Sequence, residues 1–328
     1  MSNTVNMSEI YVARRRISGH VLQTPARHSA SLSGLTGSPV HVKWEQNQIT
    51  GSFKLRGATN AILSLSDDQK ARGVVGVSTG NHGRALAYAA SRAGVRAVIC
   101  MSDLVPENKV SAIRSLGADV RIIGKSQDDA EVEVERLIHE EGMTPLPPFD
   151  HPDIIAGAGT VGLELIEALP DLEAVYVPLS GGGLLAGVAR VVKAVNPDCR
   201  VIGVSMERGS AMYQSQKVGK PILVEELPTL ADALGGGIGL NNRFTFNMVR
   251  DLVDDLLVVP EAEIADAIRH AYWEEGEVIE GSGAVGIAAL KLFPPEKARK
   301  IALVASGKNL DMTLHHSVIS GSYNPYDS

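Results

Sequence analysis

From residue 73 onward the chain alternates between short apolar runs and amphipathic stretches, at a spacing that few folds satisfy. GVVGVS (73–78) has the pattern of a buried strand, and 82–94 that of a helix stopped by Gly94. VRAVICM (95–101) is the next strand. Pro106 opens a helix that runs to Leu116, with Gly117 as its stop; 119–124 is a strand, and 126–141 is a charged amphipathic helix. The alternation resumes with a strand at 174–180, a helix at 184–195, a strand at 200–205, helices at 261–275 and 283–292, and a last buried strand at 299–305. Strand–helix repeats at this spacing build βαβ units, mostly parallel sheets and right-handed crossovers. Between the two series, residues 144–152 hold Pro145, Pro147, Pro148 and Pro152. Proline interrupts helices and central strands, so this stretch reads as a crossing between two doubly wound α/β domains.

A chain of 328 residues has room for two such units and their cores. Its 33 glycines suit tight strand-to-helix turns. The formal net charge is −7, and the one basic triplet, Arg14–Arg16, is too short for a nucleic-acid tract, which excludes that class of partner. No apolar run is long enough to span a bilayer, and Met1–Ile10 has no signal-peptide pattern; a cytoplasmic protein without a membrane partner is expected. Cys100 and Cys199 lie in or beside apolar strand-like runs and read as two buried free thiols. No metal-ligand spacing and no nucleophile elbow is present.

Ligands of doubly wound sheets bind beyond the carboxyl ends of strands. Four Gly- or Ser-rich turns fall at such places: 51–57, 78–83, 180–183 and 306–309. SGGGLLAG (180–187) follows a strand and opens a helix, where backbone N–H groups and the helix dipole favour an anion such as a phosphate. The same residues satisfy a dinucleotide pattern, Gly181-x-Gly183-x-x-Ala186, with Glu207 further on, and they also suit a bare tight turn. In STGNHGRA (78–85), Ser78, Thr79, Asn81 and His82 crowd one helix start; capping needs only one of them, and free N–H groups there can hold a carboxylate. ASGKN (305–309) fails as a P-loop because Asn309 stands where Ser or Thr is required, which leaves Ser306 as a hydrogen-bonding candidate or a plain turn hydroxyl.

The remaining turn, GSFKLRGA, sets Lys54 between Phe53 and Leu55. Such a lysine can snorkel to the surface. Pointed into a cleft, its amine is desolvated, loses basicity and becomes nucleophilic. A nucleophilic lysine with a separate phosphate cradle is what a pyridoxal phosphate enzyme requires.

These four motifs, in this order and over nearly the whole chain, resemble the serine/threonine dehydratase and serine racemase family, the fold-type II (tryptophan synthase beta-like) pyridoxal phosphate enzymes. VSMERGSAMY, DALGGGIGLNNRFTF and EEGEVIEGSGAVGIAAL are most similar to its hydroxyectoine-utilisation dehydratase branch. The resemblance implies a large cofactor-binding domain (1–72 plus 149–328) and a small domain (73–148) that closes over the active site. It implies that Lys54 forms the Schiff base and takes the Cα proton, and that Phe53 packs beside the ring. Asn81 would bond the phenolic oxygen, Gly181, Gly182, Gly183 and Leu184 would hold the phosphate, and Ser306 would face the pyridine nitrogen. Ser78, Thr79, Asn81 and His82 would surround the substrate carboxylate. A neutral hydroxyl at Ser306 makes the ring a weaker electron sink, which favours β-elimination of a 3-hydroxy amino acid to a 2-keto acid and ammonia.

Serine or aspartate racemisation is the alternative with the same cofactor, with Thr79 as the opposite-face acid/base. A nicotinamide dehydrogenase using Gly181–Ala186 and Glu207 is the alternative from another class. The racemase branch carries acidic cation ligands where this chain has Ser205 and Ala211, so no metal is expected. Arg84 and Arg243 are candidates to read a second acidic group on the substrate, or else surface residues. With the chain ending at Ser328, no regulatory domain is expected; a homodimer is.

Overall fold

A computed structural model describes residues 3–325 except 79, 106, 126 and 296–299. Thr79 and Pro106, both singled out above, lie outside the described residues.

The chain opens with α1 (Met7–Ile17), closed at its start by a reciprocal Asn6–Glu9 capping box and at its end by Arg14–Arg16, which complement the helix dipole. An antiparallel pair follows, β1 (Ala26–Ser29) and β2 (Val40–Trp44), joined by α2 (Ala30–Thr36). Next come α3 (Lys54–Ser64) and α4 (Asp67–Arg72). The series β3 (Val74–Val77), α5 (Asn81–Ala93), β4 (Ala97–Met101), α6 (Glu107–Ser115), β5 (Asp119–Ile122), α7 (Gln127–Glu141) and β6 (Thr144–Pro145) builds a four-stranded parallel sheet in the order β5-β4-β3-β6.

The chain then re-enters the first sheet through α8 (Pro152–Ala168), β7 (Ala174–Pro178), α9 (Gly183–Val195), β8 (Arg200–Met206), α10 (Ala211–Val218), α11 (Thr245–Leu252) and β9 (Asp255–Val259). It ends with α12 (Glu261–Trp273), α13 (Gly281–Leu292), β10 (Ile301–Ala305) and α14 (Met312–Ile319). The large sheet runs β1-β2-β10-β7-β8-β9, parallel except at β1.

The large sheet is buried on both faces, as parallel sheets are. Along β7, Ala174 and Tyr176 enter one core while Val175 and Val177 enter the other; β10 divides in the same way, Ile301 and Leu303 against Ala302 and Val304. α12 and α13 cover the first face, α8, α9 and α11 the second.

The proline-rich stretch differs from the expectation in one respect: Pro145 sits inside β6. That strand is at the sheet edge, where a missing N–H costs no ladder bond. Cys100 and Cys199 are buried and free. Among the described residues, no helix is long and apolar enough to cross a membrane, and no group of three or more His, Cys, Asp or Glu side chains could hold a metal ion.

Candidate active site

Two distant loops fix the position of Lys54. Phe53 N–H donates to Ser306 O at 3.0 Å, Lys308 N–H donates to Gly51 O at 2.9 Å, and Ser52 and Gly307 form an antiparallel bridge. The first and last of the four motifs are thereby stitched together, the residues that lead into α3 against those that follow β10. Lys54 opens α3, whose next eight residues are all buried. Gly57 and Gly157 let α3 and α8 approach backbone to backbone: a Cβ on Gly57 would stand 2.9 Å from Ile154 O, and one on Gly157 2.5 Å from Arg56 O. The helix that presents the lysine is therefore held by core packing.

The Lys54 amine donates to Pro148 O at 2.7 Å. Burial pulls its pKa down to about 8, and Glu280 opposes this only in part. The pocket around it is lined by Phe53, Asn81, Phe149, Ser180–Leu184, Glu280, Ser282 and Ser306. Gly181–Gly183 join β7 to α9, so the free N–H groups of the first turn of α9 face this space. Gly182 needs its left-handed backbone (φ +89°), and a Cβ on Gly181 would fall inside the Phe149 ring.

A polar chain lines the floor. Asn309 Nδ2 donates to Asn81 Oδ1 at 2.6 Å, and Asn81 Nδ2 donates to Glu280 Oε1 at 2.7 Å. Burial lifts the Glu280 carboxyl to about 8, with Asp232 adding to the rise and Asn81 opposing it. Sequence reasoning assigned no role to Glu280. The available signal was an acid placed between Ile279 and Gly281 at the start of an apolar helix. Room for it is made by Gly307, where a Cβ would meet Glu280 Oε1 at 2.5 Å.

Of the other candidates, Ser306 lines the pocket and its Oγ is 3.3 Å from Ser282 O. Ser78 and His82 do not line it. Ser78 Oγ accepts from Gly83 N–H at 2.9 Å, and His82 Nε2 bonds Leu146 O at 2.8 Å. Burial and the Lys54 charge push the His82 imidazole down to about 4, so it is neutral at physiological pH. Arg84 is half-buried beside a second cavity that it shares with Lys109, Asp232 and Asn309. Arg243 offers its backbone N–H to Asp150. Ser205 is buried with its hydroxyl on Met206 Sδ, and Ala211 begins α10; neither supplies a carboxylate.

The residues present fit pyridoxal phosphate. The pocket offers a desolvated amine, a glycine bend of free N–H groups for a phosphate, and buried polar atoms without a partner in the chain, Glu280 Oε2 and Ser282 Oγ.

Comparison with known proteins agrees with this fit. The model of the family described as pyridoxal-phosphate dependent enzyme matches residues 17–307. A protein of Sinorhizobium fredii named "Putative threonine dehydratase" is 60% identical over 321 residues, covering 97% of this chain and 96% of that one. The L-threonine ammonia-lyase of Thermotoga maritima is 40% identical, covering 96% of this chain and 78% of that one. The solved structure of maize serine racemase superposes with a TM-score of 0.90 at 35% identity, covering 97% and 98% of the two chains. The chain belongs to the pyridoxal-phosphate dependent enzymes, within their serine/threonine dehydratase and serine racemase group. Its cofactor is pyridoxal phosphate, which removes the nicotinamide alternative, and its class is that of the lyases.

Proposed function

We propose that this protein eliminates water from a 3-hydroxy amino acid to give an enamine, which then takes up one water and releases ammonia, leaving a 2-keto acid. One observation carries this reading: the Lys54 amine, the Gly181–Gly183 bend and the Ser306 hydroxyl share one pocket. When bound, pyridoxal phosphate supplies an electrophilic carbon for an amine and an electron-withdrawing ring that acidifies the adjacent Cα–H. Gly181, Gly182, Gly183 and Leu184 hold its phosphate by backbone N–H groups at the positive end of α9. With the cofactor bound, Phe53 would pack beside its ring, Asn81 would bond its phenolic oxygen, and Ser306 would offer a neutral hydroxyl to its ring nitrogen; all three line the pocket. The substrate carboxylate is assigned to the start of α5, where Asn81 lines the pocket and Ser78, Thr79 and His82 remain candidates, Ser78 and His82 being turned to Gly83 and Leu146 in this structure. Lys54 Nζ, with its pKa near 8, is in part neutral at physiological pH and takes the Cα proton.

The names of the Sinorhizobium and Thermotoga relatives support elimination from threonine or a close analogue. The sequence likeness to the hydroxyectoine-utilisation branch adds a hydroxyectoine-derived amino acid to the candidates. Racemisation is the second reading, supported by the likeness to maize serine racemase. Residues 73–148 act as a small domain closing over 1–72 and 149–328, in a cytoplasmic homodimer.

The test is a panel of threonine, serine, 3-hydroxyaspartate and hydroxyectoine-derived amino acids, scored for keto acid and ammonia, with chiral analysis of the residual substrate. Equimolar keto acid and ammonia from at least one member is expected. Inverted substrate without keto acid favours the racemase.

A further inference from the structure

The segment between the two sheets touches the pocket with consecutive residues. Pro148 O accepts the Lys54 amine at 2.7 Å. Phe149 packs against the glycine bend, its ring on Gly181 and its backbone 3.1–3.2 Å from where a Gly183 Cβ would stand. The Asp150 carboxylate accepts three backbone N–H groups, from Arg243 at 2.6 Å and from Phe244 and Thr245 at 2.9 Å each. These donors open α11, where N–H groups have no partner within the helix. That helix in turn backs the glycine bend: a Cβ on Gly182 would meet Thr245 at 3.1 Å and Val249 at 3.2 Å.

Pro147 and Pro148 have no N–H, so neither can donate a backbone bond that would fasten the segment. A carboxylate taking three N–H bonds does so instead, and bonds to an ionised acceptor are about twice as strong as neutral ones.

We propose that Asp150 is a positioning residue for this active site: by clamping residues 148–150 to the first turn of α11, it sets the Pro148 carbonyl and the Phe149 ring in register with Lys54 and the glycine bend. Asp150 does not itself line the pocket. The inference rests on the reading of Lys54 as the attachment point and of the bend as the phosphate cradle. Loss of the clamp frees Phe149, loosens the bend and lets water reach the amine, whose depressed basicity comes from burial.

The test uses the full chain, stripped of cofactor and titrated with pyridoxal phosphate, as wild type, Asp150→Asn and Asp150→Ala. Two quantities are read at a temperature where melting curves show each variant folded: the Kd for pyridoxal phosphate, and the pH midpoint of the rate at which the lysine-bound absorbance forms. For wild type the midpoint is expected near 8. Asp150→Ala should bind about 10-fold more weakly or worse, with its midpoint moved upward; Asp150→Asn, which keeps one accepting oxygen, should fall between. A purely structural role lowers the melting temperature and leaves both readings on the folded protein unchanged. Wild-type Kd and midpoint in folded Asp150→Ala overturn the inference. Should Asp150→Ala not fold, Asp150→Asn decides: weaker binding with a raised midpoint supports the clamp, wild-type values overturn it. If wild type itself does not load at Lys54, the reading of Lys54 falls and the clamp falls with it.

Discussion

Two sets of buried charges sit two residues apart on the first turn of α3, and they are built in opposite ways. Around Arg56, every charge is answered. Its guanidinium takes both oxygens of Glu45 at 2.8 Å and both of Glu164 at 2.6–2.8 Å. Lys43 joins Glu164 and the Thr24 carbonyl, and Thr24 bonds Glu45. Burial alone would push Glu45 toward neutrality, yet Arg56 and Lys43 hold its pKa below the usual carboxylate range. Around Lys54 the compensation is missing. The amine has a carbonyl for a partner, Glu280 has an amide, and His82 has a carbonyl. Burial then dominates, bringing the lysine and the glutamic acid each to about 8 and the histidine to about 4. Paired charges give a rigid foundation; unpaired ones give an amine and a carboxyl that change protonation near neutral pH and an imidazole that stays neutral there.

Single substitutions separate the two sets of charges. The largest effect is expected from Lys54→Ala, which should cut keto-acid release by about 10²–10⁴-fold or more while the cofactor-free protein melts no lower than wild type. A marked drop in melting temperature would place Lys54 with the structural set. Arg56→Met should do the reverse and destabilise the fold by about 3–5 kcal/mol in urea unfolding, since it strands Glu45 and Glu164. A loss under about 1 kcal/mol would mean that the paired cluster is no foundation. Gly181→Ala should weaken pyridoxal phosphate binding by about 1–3 kcal/mol through its collision with Phe149, and Phe149→Leu should relieve it in the double variant.

The smallest effect expected is a pH dependence of stability set by Glu280. The folded pKa of Glu280, about 8, lies above its ordinary 4.5, so the folded state holds the extra proton between these values. Its contribution is full below about 4.5 and is lost as pH rises through about 8. Cofactor-free wild type should therefore lose stability over that range relative to Glu280→Gln, as read by melting curves. Parallel curves for the two would show Glu280 ionised like a surface acid.

Much of this was legible in the sequence because parallel strands buried on both faces read as unbroken apolar runs, and the strands at 73–78, 95–101, 174–180 and 200–205 carry that signal. The four turns were visible because Gly and Ser cluster where strands end. Other parts were hidden. β1 is four residues with a largely exposed face, too short to show a period. α8 carries Gly157, Gly159 and Gly162, which count against a helix by propensity. They are there for close packing: a Cβ on Gly159 would stand 2.9 Å from Ile10 and one on Gly162 3.0 Å from Val191. Glu280 and Asp150 were silent for another reason: their roles depend on partners brought near only by the tertiary fold, Asn81 for one and the start of α11 for the other.

The most direct measurement reduces the purified, cofactor-loaded protein with borohydride, digests it and maps the pyridoxyl group by mass spectrometry. A single modified peptide carrying the group on Lys54 is the expected result. A pyridoxyl group on another lysine, or none on a protein saturated with pyridoxal phosphate, would contradict the assignment of the unpaired amine as the reactive one.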